Sequence, residues 1–125
     1  MAKTILIVIS IILTLAIIII AGVYFLTRFP RPDITHFKNI QVSEKEIVLN
    51  SLRFGESAVW YAGHTTAYDN GVLTITVYGR GPIRFPGDQY NGITVTIPNT
   101  YTDLAEIRLG GGRNEEDKII WRKGN

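Results

Sequence analysis

The hydrophobic period of the chain changes once. Residues 5–26, ILIVISIILTLAIIIIAGVYFL, are apolar on every side and uncharged over 22 positions, whereas from residue 34 onward apolar and polar positions alternate. A helix that is hydrophobic all round has no face to offer water. At about 1.5 Å per residue it reaches roughly 33 Å, close to the hydrocarbon thickness of a bilayer. The pattern predicts a tail over 1–4 and a membrane-spanning helix over 5–27. Ser10 and Thr14 can bond back within it, and Tyr24, Phe25 and Phe29 gather at the end where aromatic rings settle among headgroups. Pro30 and Pro32 then stop the helix. A cleaved signal peptide is the rival reading, but its apolar region runs about 7–15 residues to a small-x-small site. Ala21-Gly22-Val23 offers no clear site of that kind, which favours a retained anchor.

After a linker over 28–33, residues 34–125 read as a β-domain. Leu73, Ile75 and Val77 share one face while Thr74, Thr76 and Tyr78 take the other; Ile93, Val95 and Ile97 repeat this, as do Ile107 and Leu109. Such a period of two predicts half-buried strands. Further strands are expected over 34–42, 47–54, 58–66, 83–85 and 118–122, and one helical turn over 102–106. Asp69-Asn70-Gly71 is the sharpest turn signal, because primed hairpin turns need the positive φ that Asn and Gly accept. Regular short strands with tight turns predict an all-β antiparallel sandwich or small barrel.

Charge and cysteine narrow the function. From Asp33 onward there are ten Lys+Arg against eleven Asp+Glu, a net of −1, so the domain lacks the basic footprint that nucleic acid requires. The chain has no cysteine, which excludes disulfides, thiol nucleophiles and thiolate zinc sites. With no ionisable group inside the span there is no proton or ion path to build.

The stretch LGGGRNEEDKIIW, 109–121, sets three glycines beside three acids. A Walker-type phosphate loop needs Gly-x4-Gly-Lys-Ser/Thr leading into a helix, and this segment has neither. Neighbouring Glu115, Glu116 and Asp117 point to alternate faces of an extended chain, unlike the spaced ligands of a calcium loop. A glycine-rich reversal between two strands is the expected reading. His64, Asp69 and Ser57 could be sketched as a hydrolytic triad, but no nucleophile elbow accompanies them. His36 has no second His or Cys at ligand spacing, and Glu44 and Glu46 read as a solvated pair rather than glycosidase carboxylates. No catalytic, metal or cofactor site is therefore expected. The aromatics Trp60, Tyr61, Tyr68, Tyr78, Phe85, Tyr90 and Tyr101 either fill the core or form a binding face, and Tyr61, Tyr78 and Tyr90 are the residues to test first for such a face.

The C-terminal part carries an Asp-Leu-x-x-Ile-x-Leu segment (Asp103, Leu104, Ile107, Leu109), a Gly turn at Gly110, an acidic Glu116-Asp117-Lys118 and a closing Ile120-Trp121. In this it resembles small, mostly uncharacterised membrane-attached proteins of Gram-positive bacteria. The resemblance implies a β-domain held outside the cell membrane and brings no catalytic residues. Those proteins commonly carry a lipid-modified cysteine, whose place is taken here by the apolar helix. A plain count of Arg28, Arg31 and Lys38 against Lys3 leans toward a cytoplasmic domain, and the resemblance outweighs it. The sequence thus predicts a noncatalytic, single-pass anchored β-domain acting by protein contact at the bacterial envelope. The alternatives are a cell-wall glycan-binding module and a small immunity-type membrane protein. The expected partners are the bilayer, through 5–27, and an envelope protein or glycan.

Overall fold

The computed structural model describes residues 1–56, 58–112 and 115–124. One helix, α1 (Ala2–Leu26), precedes nine strands: β1 (Phe29–Pro30), β2 (Thr35–His36), β3 (Asn39–Val42), β4 (Glu46–Phe54), β5 (Trp60–Asp69), β6 (Val72–Arg80), β7 (Ile93–Pro98), β8 (Glu106–Leu109) and β9 (Lys118–Arg122).

No residue of α1 is buried, and its 25 residues are long and apolar enough to cross a membrane. Its isoleucines are poor helix formers in water, whereas inside a bilayer, where no solvent competes for backbone groups, a helix would satisfy them within the segment. The hydroxyl of Thr14 donates to Ser10 O at 2.8 Å, and that of Thr27 donates to Val23 O at 2.6 Å to close the last turn.

The strands form two sheets that are not closed into a barrel. In the first, β5 lies along one edge of β6, while β8 and β1 share the opposite edge; β9 pairs with the outer side of β8. In the second, β4 is central, with β2 and β3 on one edge and β7 on the other. The core lies between them. Leu73, Ile75, Val77, Ile107 and Leu109 of the first sheet meet Ile47, Leu49, Leu52, Phe54, Val95 and Ile97 of the second. Each such side chain contributes about 1.5–3 kcal/mol of transfer free energy when fully buried.

Several expectations are corrected. The pairing of β6 with β8 is parallel, Leu73 opposite Ile107, because the long β6–β8 connection through β7 returns the chain to the same end of the sheet. Residues 83–85 are loop, and 102–106 turn without forming a helix. The stretch 34–42 splits into β2 and β3, since it meets β4 on either side of an irregularity. That irregularity lies between Leu49 and Leu52, where Ser51 takes φ 53°. A bulge adds one residue and resets the alternation, which is why Leu52 and Phe54 face inward along with Ile47 and Leu49. The stretch 28–33 is also structured, since Phe29 pairs with Gly79 and Pro30 with Tyr78.

Opposite charges meet across β8 and β9. Glu106 faces Arg122 across the ladder, accepting from its Nε at 3.0 Å, and accepts a second bond from Arg108 Nε. The Arg122 bond, then the Arg108 bond, hold the Glu106 carboxyl below the usual glutamate range. A lowered pKa stabilises the fold while the group is ionised, and this contribution fades as pH falls through the lowered value. Glu106→Gln should therefore flatten the loss of stability as pH falls below the ordinary glutamate range, measured by urea unfolding at successive pH values. The difference should shrink in high salt, because both arginines are substantially exposed.

Candidate functional site

Where α1 leaves its apolar stretch, a buried arginine ties it to the β-domain. Arg80 ends β6, and by alternation it points to the outer face of the first sheet, where solvent would be expected. The helix end and the loop 81–90 cover it instead. Its Nη1 donates to both carboxylate oxygens of Asp88, at 2.8 and 2.7 Å, and its Nη2 donates to Tyr24 O. The guanidinium lies 4.4 Å from the Tyr24 ring centroid and 4.7 Å from that of Phe85, between two π faces. A cation on the last carbonyls of a helix also opposes the negative end of its dipole. Only Nε lacks a partner among the described residues.

The loop is itself closed by hydrogen bonds. Phe85-Pro86-Gly87-Asp88 is a turn with Asp88 N donating to Phe85 O at 3.1 Å and Gly87 at φ 91°, the conformation a Pro-Gly pair favours. The amide of Phe85 donates to Asp88 Oδ2 at 2.9 Å, and Arg84 Nε donates to Asp88 O at 2.8 Å. Gln89 and Tyr61 exchange backbone bonds at 2.6 and 3.1 Å. A second arginine, Arg28, sits 4.2 Å from the Tyr78 ring and 5.0 Å from that of Phe25, and donates to Ala62 O at 3.2 Å.

The three tyrosines singled out from the sequence occupy different places. Tyr78 is on the outer face, roofed by Arg28, its hydroxyl 3.3 Å from Thr65 Oγ1. Tyr61 faces inward opposite Gly79 and packs against the core. Its hydroxyl lies 2.6 Å from His64 Nδ1; burial raises the Tyr61 pKa and lowers that of His64, so the neutral pair is favoured. Tyr90 is exposed, 6.3 Å from Trp60. Alternation alone could not separate Tyr61 from Tyr78, because the bulge at Gly63 (φ 107°) lies between Tyr61 and His64.

Nor do the sketched catalytic groups meet. His64 and Asp69 are five positions apart on regular β5, hence on opposite faces and roughly 17 Å apart. Ser57 lies outside the described residues. Among the described residues no three His, Asp or Glu side chains gather to hold a metal ion. The stretch from Leu109 reverses direction between β8 and β9, with Arg113 and Asn114 outside the described residues, and Gly111 N donates to Asp117 Oδ1 at 2.9 Å.

The open side of the sandwich carries a second feature. β9 pairs only with β8 among the described strands, leaving its other edge unpartnered. Between that edge and β2–β3 runs a shallow groove of about 440 Å³, lined by Phe37, Ile40, Ile119, Ile120 and Trp121, with His36 and Lys118 at its margin. An unpaired strand edge beside apolar side chains can accept an extended segment of another chain. No family model, curated protein or solved structure matches this chain.

Proposed function

We propose that the protein is a noncatalytic, single-pass anchored β-domain that acts by protein contact at the bacterial cell envelope, with its domain outside the membrane. The observation that carries the reading is the β9 edge, unpartnered among the described strands, with its apolar groove, on a domain whose apolar helix is long enough to span a bilayer. The groove offers backbone hydrogen bonds for affinity and the side chains of Ile119 and Trp121 for selectivity. The separation of His64 from Asp69 supports a contact role over a hydrolytic one. The resemblance of the C-terminal part to membrane-attached proteins of Gram-positive bacteria supports the outward orientation.

A photo-crosslinking amino acid at Ile119 in the full-length chain tests this in cells. One discrete adduct is expected, lost when Ile120 is changed to Lys and retained when Tyr90 is changed to Ala. If instead the protein is retained on isolated cell walls through Tyr90, with no adduct at Ile119, the glycan-binding alternative replaces this reading. Turnover in a hydrolase screen that disappears in His64→Ala would overturn the noncatalytic role.

A further inference from the structure

Beyond Leu26, four large apolar side chains are exposed among the described residues: Phe29 at 55 %, Ile83 at 67 %, Tyr90 at 51 % and Ile119 at 43 %. Single exposed apolar residues are ordinary, but three of these four sit at one end of the domain. Phe29 pairs with Gly79, one residue from the end of β6. Ile83 lies two residues before Phe85, whose ring is 6.0 Å from that of Tyr24. Tyr90 lies against Trp60, which pairs with Arg80.

If α1 spans the bilayer, its last turn marks a depth. Tyr24 lies two residues from the end of the apolar run, so it belongs at the boundary between hydrocarbon and headgroups. Whatever touches Tyr24 must lie at that level too, and Arg80 and Phe85 both touch it. The loop 81–90 is therefore held at the membrane surface by contacts to the helix. Its composition suits that position. Pro82 and Pro86 have no amide to leave unsatisfied, and the Asp88 carboxylate is engaged by Arg80 and by the Phe85 amide. Arg84 uses Nε on Asp88 O, leaving its terminal nitrogens to donate to lipid phosphates. An aromatic and aliphatic rim around such a loop is what the interfacial region favours.

We infer that Phe29, Ile83 and Tyr90, with the loop 81–90 that carries two of them, form a second membrane contact seated in the headgroup layer. This inference rests on the spanning reading of α1. It sets the Arg80 end of β6 toward the lipid and the Asp69–Val72 hairpin at the other end, roughly 26 Å away along the strand. β9 flanks β8, which lies along the far half of β6, so the β9 side of the candidate groove lies away from the lipid-facing end.

The test uses full-length protein in vesicles of phosphatidylcholine and phosphatidylglycerol, with one cysteine introduced at a time into a chain that has none. Ile83→Cys, Tyr90→Cys, Leu15→Cys and Thr100→Cys are each labelled with bimane. Nitroxide lipids of shallow and deep placement, and aqueous iodide, serve as quenchers. Positions 83 and 90 should be quenched by the shallow nitroxide and be at least threefold less accessible to iodide than position 100, with position 15 quenched by the deep nitroxide. If position 15 behaves as stated while 83 and 90 are as open to iodide as 100, the loop contact is wrong and the anchor stands. If position 15 is not quenched by lipid, the spanning reading fails and takes this inference with it.

Discussion

Asp88→Leu should be among the most damaging single changes in the chain, lowering the unfolding free energy by about 3–5 kcal/mol, because it leaves the Arg80 guanidinium buried without its counter-charge. The same change strips the Phe85 amide of its acceptor. For a domain with a total stability of about 5–15 kcal/mol this is a large fraction. The double variant Arg80→Met with Asp88→Leu should recover much of the loss, since a buried ion pair replaced by apolar groups of similar volume is often near neutral. Urea unfolding of the full chain in detergent, followed by the fluorescence of Trp60 and Trp121, measures both. Equal losses in the single and double variants would mean that the ion pair does not determine the stability of this junction. The pair is better understood as fixing the loop 81–90 and the helix end in one arrangement than as a net source of stability, since desolvating both groups offsets most of their attraction.

Gly111→Ala should be the second severe change. A Cβ at Gly111 would overlap the carbonyl oxygen of Glu115, a backbone atom that cannot rotate away. The expected cost is at or above the upper end of the about 1–3 kcal/mol typical of overpacking. Gly110→Ala meets mainly the side chains of Thr76 and Thr74, so Thr76→Ala should rescue part of that loss and none of the loss at Gly111. The same unfolding assay separates the two; rescue of Gly111→Ala by Thr76→Ala would show that the backbone clash is not the cause.

These two sites show what the sequence made legible. The reversal at Gly110 was readable in kind, because a triple glycine between two apolar runs suits a turn. The reason for the individual glycines was not readable. Gly112 adopts φ 64° and approaches Pro30, and Gly110 packs on β6, both partners being remote in sequence. α1 was legible from its unbroken apolar run, β6, β7 and β8 from their undisturbed alternation, and β4 and β9 from their β-branched and aromatic content. β1 was not, since a Phe-Pro pair after a helix has no period to show, and its partners, Tyr78 and Gly79, are remote in sequence. The inward turn of Leu52 and Phe54 depends on a bulge that strict alternation cannot anticipate. Arg80 and Asp88 are eight residues apart across an irregular loop, a spacing with no local signature. Arginine at the end of an alternating strand reads as a solvated terminus until the helix end is seen to cover it. The aromatic residues are numerous, but a count cannot say which ring faces the core, which lies under Arg28 and which stands at the domain's helix-proximal end.

The proposed role depends on a retained apolar helix that holds a β-domain on the outer side of the membrane. Its most direct test is Thr100→Cys, an exposed position in a cysteine-free chain, treated with a membrane-impermeant maleimide on intact cells and read on the uncleaved band in the membrane fraction. Equal labelling before and after lysis is expected of an outward-facing, retained anchor. Labelling that appears only after lysis, or only on a shortened band released from the membrane, would contradict it.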